Sequence, residues 1–154
     1  MACRSTLIVQ QLLNQLKTQT LMKTTTRLIA FTLVFLNSVS HANEVRIDAA
    51  SFYQQQTSQW QITVTLSHDD TGWQHYADGW RVVDKQGQVL AHRTLLHPHV
   101  NEQPFTRGLT NVEIPTNSKI VFIEAHDTMH GWAKQRLLVD LNRANNGKLE
   151  VTAR

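Results

Sequence analysis

The sequence predicts an all-β fold, an antiparallel β-sandwich of immunoglobulin or fibronectin type with about seven strands. Apolar and polar residues alternate along several short segments, which is typical of strands with one buried and one exposed face. Turn signals separate these segments at regular intervals. No segment after residue 42 has convincing helical spacing. A small closed barrel is the alternative arrangement for the same strands.

The first half of the predicted domain contains the clearest alternation. A first strand is expected over residues 44–50. In the second, over residues 60–66, the apolar side chains that should share one face are Trp60, Ile62, Val64 and Leu66. Residues 80–83 and 88–96 flank a polar turn and predict a β-hairpin, in which Gly87 supplies the positive φ that a tight turn needs.

The second half continues with strands. Residues 109–114 form a weak candidate that Pro115 ends. Residues 119–126 are apolar enough to form a central strand, and residues 133–141 alternate again. A last short strand is expected over residues 148–153, because a turn signal of two asparagines and a glycine precedes it.

Residues 22–42 have the pattern of a secretory signal peptide. Two basic residues, Lys23 and Arg27, precede an apolar run at residues 28–36. The small-x-small sequence that ends at Ala42 offers a cleavage site. The run is too short to span a bilayer, which takes about 20 apolar residues, so we expect no transmembrane anchor in the mature form.

Cleavage at that site leaves residues 43–154 as one β-sandwich domain, either periplasmic or secreted. Residues 1–21 precede the signal pattern and are expected to be an upstream extension, which translation from Met22 would omit. The single cysteine, Cys3, lies in that extension. The mature domain is therefore expected to have no disulfide and no thiol ligand.

The charge of the predicted mature domain argues against a nucleic-acid partner. The whole chain carries 15 basic and 12 acidic residues, a formal net charge of +3. Four basic residues and no acidic residue precede residue 43, so the mature domain has 11 basic and 12 acidic residues. Nucleic-acid-binding domains usually carry a marked basic excess, which this domain lacks.

Seven of the eight histidines lie in residues 43–154, and this density predicts a transition-metal site. The sharpest group is His97-Pro98-His99, because residues i and i+2 of an extended chain point to the same side. Two more histidines follow the most apolar predicted strand and add candidate ligands. Several imidazoles together suit copper or zinc, as Cu(II) or Zn(II). The predicted metal ligands are His97, His99, His126 and His130.

A scaffolding role for the same histidines is the alternative. Histidines at strand ends often only hydrogen-bond a carboxylate or a backbone carbonyl. Glu102, Glu124 and Asp127 are available as acceptors. The remaining acidic candidates lack the spacing of a calcium loop and are expected to be turn and solvent residues: Asp69, Asp70 and Asp78.

Aromatic residues are expected in two different roles. Trp60 and Trp80 lie in predicted strands and should belong to the core. Trp73, Tyr76 and Trp132 lie in predicted loops, where exposed rings could contact a protein or glycan partner. A structural or interaction module that binds a partner through these three residues, without metal, is thus the alternative function.

Motifs for catalysis are absent from the sequence. It contains no G-x-S-x-G, no P-loop, no H-E-x-x-H and no dinucleotide-binding glycine pattern. The serines of residues 43–154 lie in no nucleophile elbow. An enzyme is therefore the least favoured class, and no catalytic residue is assigned. The leading prediction is an exported binding protein for a transition metal.

Three segments resemble sequences of small exported β-sandwich proteins of Gram-negative bacteria, a family without an assigned activity. They are residues 72–80, residues 97–107 (HPHVNEQPFTR) and residues 124–127. The resemblance covers most of the predicted domain, from residue 64 to residue 141. It implies export and a β-sandwich, and it transfers no catalytic residue. It also implies that residues 97–107 are a feature of the family.

Expression of the full chain in a Gram-negative host should yield a protein outside the cytoplasm that begins at Asn43, because signal peptidase cleaves after a small-x-small sequence. N-terminal sequencing of the exported protein measures this directly. An exported protein that retains residues 1–42 would contradict the prediction.

Overall fold

The computed structural model describes residues 43–153 of the chain. The predicted upstream extension and signal peptide, residues 1–21 and 22–42, lie outside the described residues, and so does Arg154. Between residues 43 and 153, no helix is long and apolar enough to cross a membrane. The helical structure in this part of the chain is a single 3-10 turn, Leu141–Arg143.

The described residues form eight strands, which pair antiparallel in two four-stranded sheets. In chain order the strands are β1 (Arg46–Gln54), β2 (Gln59–Ser67), β3 (Ala77–Asp84), β4 (Val89–Thr94), β5 (Phe105–Glu113), β6 (Ile120–Asp127), β7 (Gly131–Asp140) and β8 (Lys148–Thr152). The first sheet has the order β5-β2-β1-β8, and the second has the order β4-β3-β6-β7. The predicted β-sandwich is confirmed, and the two separate sheets differ from a closed barrel.

The connectivity distinguishes between the two predicted sandwich types. In constant-type immunoglobulin domains the fourth strand lies beside the fifth, in the sheet of the first and second strands. Here β4 pairs with β3 in the second sheet, which is the fibronectin-type arrangement. The last strand, β8, extends the first sheet by pairing with β1.

Alternation places every second side chain of β2 in the core. The predicted inward set is buried: Trp60, Ile62, Val64 and Leu66. In β1, a β-bulge between Ile47 and Ala49 shifts the alternation by one residue, so that Ala50 and Phe52 also point inward. The second sheet contributes Trp80, Val82, Val121, Ile123 and Val139. Trp60 and Trp80 are therefore core residues, as predicted.

Three strands extend well beyond the bounds that the sequence indicated. β1 runs to Gln54, β3 covers Ala77–Asp84, and β5 begins at Phe105. The predicted start of β5 at residue 109 was wrong because residues 106–108 are not apolar. Their backbone nevertheless pairs with β2, from Phe105 opposite Leu66 onward. The predicted hairpin of β3 and β4 is present, and Gly87 has a φ of 83°.

Loops at one end of the sandwich contain most of the histidines. Because consecutive strands run in opposite directions, the β2–β3, β4–β5 and β6–β7 loops lie at the same end as the start of β1. We call this end, with residues 68–76, 95–104 and 128–130, the histidine end. Its histidines are His68, His75, His97, His99 and His130. The fold thus brings together residues that are up to 62 positions apart in the chain.

Trp60→Ala should lower the free energy of unfolding by about 3–5 kcal/mol, because the substitution leaves a cavity in the core. The Trp60 ring is buried and packs edge-on against Phe52, with ring centroids 6.2 Å apart. Trp73→Ala is the matched control, since that ring is 69% exposed, and it should change stability by less than about 0.5 kcal/mol. Urea denaturation followed by circular dichroism compares the variants. A parent-like midpoint for Trp60→Ala would show that this face of β2 is not buried.

Candidate metal centre

Asp127, the last residue of β6, provides a fully buried carboxylate at the histidine end. Its Oδ1 accepts hydrogen bonds from the backbone N–H groups of Met129 (2.9 Å) and His130 (2.7 Å). The Nδ1 atom of His130 lies 3.0 Å from the same oxygen. Its Oδ2 is buried and has no hydrogen-bond partner among residues 43–153. The β6–β7 turn therefore fixes one oxygen and leaves the other available for a ligand.

The surroundings of Asp127 act on its pKa in opposite directions. Burial, the largest single influence, raises the pKa. The backbone N–H groups of His130 and Met129 lower it, as does positive charge on His130 and His68. The net result is a pKa below the usual 3.8 of an aspartate. Asp127 is therefore an ionised carboxylate at neutral pH, which is the form that binds a cation.

His75 faces Asp127 from the β2–β3 loop. Its Nε2 is buried, lies 3.7 Å from Asp127 Oδ1 and has no hydrogen-bond partner within the described part of the chain. The loop turns back at Gly72, whose φ of 130° is rarely accessible to other residues. The N–H of His75 donates to the Gly72 carbonyl at 3.1 Å. The ring makes edge contacts with His68 and His130, at centroid distances of 4.7 and 5.1 Å.

His68 follows directly after β2, and both of its ring nitrogens face acceptors. Nδ1 lies 2.6 Å from Asp70 Oδ1, and Nε2 lies 3.1 Å from the carbonyl oxygen of Asn43. Both contacts are hydrogen bonds only when both ring nitrogens carry a proton. In the neutral ring, a proton on Nδ1 would maintain the hydrogen bond to Asp70. Nε2 would then have no proton, and its lone pair could bind a ligand.

Asp70 is buried, and the expectation that it would be a solvent-exposed turn residue was wrong. Its Oδ1 accepts from the Ala77 N–H (2.9 Å) as well as from His68. Its Oδ2 accepts from the His99 N–H at 2.6 Å. These hydrogen bonds replace the water that a turn carboxylate would otherwise bind. Asp69 is exposed as expected.

His97 and His99 lie side by side, with ring centroids 4.7 Å apart. The His99 ring is buried and stacks on Phe105 at a centroid distance of 3.9 Å and an interplanar angle of 11°. Its Nδ1 lies 4.0 Å from Asp70 Oδ2. Neither ring nitrogen of His99 has a hydrogen-bond partner in the described residues. His97 is exposed to solvent.

The other two predicted ligands have different neighbours. His130 contacts Asp127 and His75, as given above. His126 lies within β6, and its Nδ1 is 2.5 Å from Asp78 Oδ1. Its ring contacts Trp132 edge-on at 4.8 Å. Asp78 is therefore a histidine partner rather than the solvent residue that was expected, and it is a different carboxylate from those near His99 and His130.

Two of the three acceptors expected to hold histidines bind arginines instead. Glu102 pairs with Arg107 through both carboxylate oxygens, at 2.8 and 3.1 Å. Glu124 lies 2.7 Å from both Arg81 and Arg136. Asp127 does accept from a histidine, His130, as expected.

The three predicted partner-binding aromatics occupy two places. Trp73 is exposed and meets Tyr76 edge-on, with ring centroids 5.9 Å apart. Trp132 is 37% exposed, and the Arg81 guanidinium lies 3.7 Å from its ring centroid. His92 and His126 contact the edge of the Trp132 ring. Their role in binding a partner stays a prediction.

The strongest metal-ligand group in residues 43–153 combines His68, His75 and Asp127. One ligand atom from each lies within 4.8 Å of the other two, and all three residues are buried. Nitrogen and carboxylate donors of this kind suit Zn(II) or Cu(II). Sequence reasoning overlooked His68 and His75 as ligands because it favoured the local His-x-His pair. The signal available was position: His68 and Asp127 each follow closely after an apolar strand that the sequence predicts.

Comparison with known proteins gives one informative relative. No family model and no solved structure matches the chain. A protein of Halomicrobium mukohataei described as "Putative lipoprotein" is 42% identical over 80 residues, which is 52% of this chain and 39% of the relative. The chain thus spans about two fifths of the length of that relative. This relative is from an archaeon, and none of the comparisons confirms the resemblance to a family of Gram-negative bacteria.

Metal-free protein should lose stability as the pH falls from about 7 to about 5, in part because of His99. Burial, followed by the charges of Arg107 and His97, lowers the pKa of His99 below the usual 6.5. The unfolded chain then binds a proton at this residue before the folded domain does. The contribution of His99 to the free energy of unfolding is therefore fully present above pH 6.5 and is lost as the pH falls.

Urea titrations across this pH range, in the presence of EDTA, measure the effect. His99→Phe should flatten the pH dependence, whereas His92→Phe, at an exposed position of β4, should leave it unchanged. An unchanged slope in His99→Phe would show that His99 titrates alike in both states.

Proposed function

We propose that this chain is an exported protein that binds a transition metal ion, Cu(II) or Zn(II), at the histidine end of its β-sandwich. The observation that carries the proposal is the pair of unpartnered buried atoms, His75 Nε2 and Asp127 Oδ2. A buried polar atom without a partner costs about 1–3 kcal/mol. One cation between these residues would satisfy both atoms at once.

The distances support this ligand pair. Two ligand atoms at about 2.0–2.2 Å from one tetrahedral zinc ion lie about 3.3–3.6 Å apart. His75 Nε2 lies 3.7 Å from Oδ1, the other oxygen of the Asp127 carboxylate, which is too long for a hydrogen bond and places the ring and the carboxylate close enough to share one ion. Asp127 is ionised at neutral pH and supplies negative charge in a buried position, where it attracts a cation strongly.

His68 is the third proposed ligand, and Asp70 is the residue that positions it. Metal-binding histidines usually donate their second ring N–H to a carboxylate, which fixes the tautomer. The contact between His68 Nδ1 and Asp70 Oδ1 has this form. Metal binding through Nε2 would release a proton and displace the carbonyl of Asn43.

His130 is the proposed fourth ligand, or a second residue that positions Asp127. Its ring is partly exposed and borders both His75 and Asp127. Of the ligands predicted from sequence, His130 belongs to this proposed centre. His97 and His99 lie beside it, across Asp70. His126 is paired with Asp78, and we leave it outside the proposed centre.

Export is supported by two separate observations. The signal pattern of residues 22–42 predicts it. The archaeal relative is described as "Putative lipoprotein", which is consistent with export. We therefore propose a periplasmic or secreted location, where a metal-binding domain without cysteine ligands remains functional under oxidising conditions.

An interaction module without metal is the second candidate. The observation that favours it is the exposed pair Trp73 and Tyr76, because a large ring that is 69% exposed has no role in the core. Such rings are typical of surfaces that bind a protein or a glycan. This candidate predicts that removal of the histidine-end ligands leaves partner binding intact.

Calorimetric titration of the EDTA-stripped exported protein with Cu(II) or Zn(II) tests the proposed function. Binding should be micromolar or tighter, should weaken as the pH falls through about 6.5, and should raise the melting temperature. His75→Ala and the isosteric Asp127→Asn should each weaken binding at least tenfold, because each removes a ligand. His92→Ala is the control and should bind like the parent.

Two results would oppose the proposal. Binding no tighter than about millimolar would match stray surface histidines and leave the interaction module as the better candidate. Tight binding that survives both His75→Ala and Asp127→Asn would place the metal elsewhere.

A further inference from the structure

We propose that the histidine end holds two metal ions, the second bound by His97 and His99 and linked to the first centre through Asp70. This inference rests on the proposed function, since it adds a neighbouring position to the same centre. His68 and His75 would bind the first ion, and His97 and His99 would bind the second. The buried carboxylate of Asp70 lies between these two groups.

The buried ring of His99 requires a partner that residues 43–153 do not supply. A neutral imidazole has one N–H donor and one acceptor nitrogen. Both His99 nitrogens are buried and without a hydrogen bond. Phe105 covers one face of the ring at a centroid distance of 3.9 Å, and His97 lies beside it at 4.7 Å. A ligand can therefore reach His99 only at the ring edge, where the nitrogens are.

That edge faces Asp70 at a distance suited to a metal ion. His99 Nδ1 lies 4.0 Å from Asp70 Oδ2. This is longer than a hydrogen bond, and a small shift of the ring would bring the two atoms to the separation of about 3.3–3.6 Å that two ligands of one tetrahedral zinc ion have. The other oxygen of Asp70 holds His68 of the first centre, at 2.6 Å. Asp70 would thus bind the second ion and position a ligand of the first.

His97 offers the second nitrogen and the route of entry. Its ring is exposed, so it can rotate towards the edge of His99 without disturbing the core. One residue, Pro98, separates the two histidines, and their ring centroids lie 4.7 Å apart.

The charges around the second position are compatible with a cation. Asp70 and Asp127 are both buried carboxylates of the histidine end. The nearby Arg107 is held by both oxygens of Glu102, so its positive charge is largely compensated. Two divalent ions would therefore share a region with two buried carboxylates and with imidazoles that bind in their neutral form.

Native mass spectrometry of the stripped exported protein, titrated with Zn(II) to micromolar free metal, counts the sites. The parent should bind two ions. His97→Ala, at an exposed position, and His99→Phe, which keeps a ring against Phe105, should each bind one. His75→Ala should also bind one, and His92→Ala should bind two. Circular dichroism melting verifies that each variant is folded.

Electron paramagnetic resonance of the Cu(II)-loaded protein tests the proximity of the two ions. Two Cu(II) ions in adjacent centres should give a half-field transition, which His97→Ala and His75→Ala should each abolish. Magnetically isolated Cu(II) in the fully loaded parent would contradict the link through Asp70.

The outcomes separate this inference from the proposed function. One ion in the parent, lost in His75→Ala and kept in His97→Ala, would overturn the second site alone. Two ions in folded His97→Ala and His99→Phe would also overturn it. No ion in the parent would overturn both proposals.

Discussion

The hydrogen bonds of the buried carboxylate of Asp70 hold the histidine end together. Its oxygens bind the side chain of His68, the first N–H of β3 at Ala77 and the N–H of His99. A buried carboxylate without such partners would cost far more than a domain of this size can tolerate. The loop after β2 and the segment after β4 are therefore constrained to one arrangement around it.

Asp127 is the second buried carboxylate of the histidine end, and its hydrogen bonds hold the β6–β7 turn in place beside His75. The β6–β7 turn satisfies its Oδ1 with two backbone N–H groups, while its Oδ2 remains without a hydrogen bond in the described chain. The sandwich core below is closely packed and apolar. Four of the six buried side-chain atoms that have no hydrogen-bond partner in the described chain lie at the histidine end, as expected for a site that gives up some stability for ligand binding.

Most of the fold could be predicted because it depends on local pattern. The alternation from Trp60 to Leu66 specifies which side chains of β2 point inward, and Gly87 marks the β3–β4 turn. The first residues of β5 could not be identified in this way, since Thr106, Arg107 and Gly108 show no apolar alternation and their place in the sheet is set by pairing with β2. Asp69 and Asp70 show the same limit: two identical neighbours in sequence, one exposed and one buried by contacts with residues seven and 29 positions away.

By itself, the sequence determined the class of fold, the faces of the main strands, the identity of the core tryptophans and the abundance of histidine. Only the tertiary structure decided which histidines meet. His68, His75 and Asp127 come together because β2, β3 and β6 end or begin at the same end of the sandwich, in a register set by long-range pairing. His126, one residue before Asp127, points away to Asp78 because successive side chains of a strand lie on opposite faces.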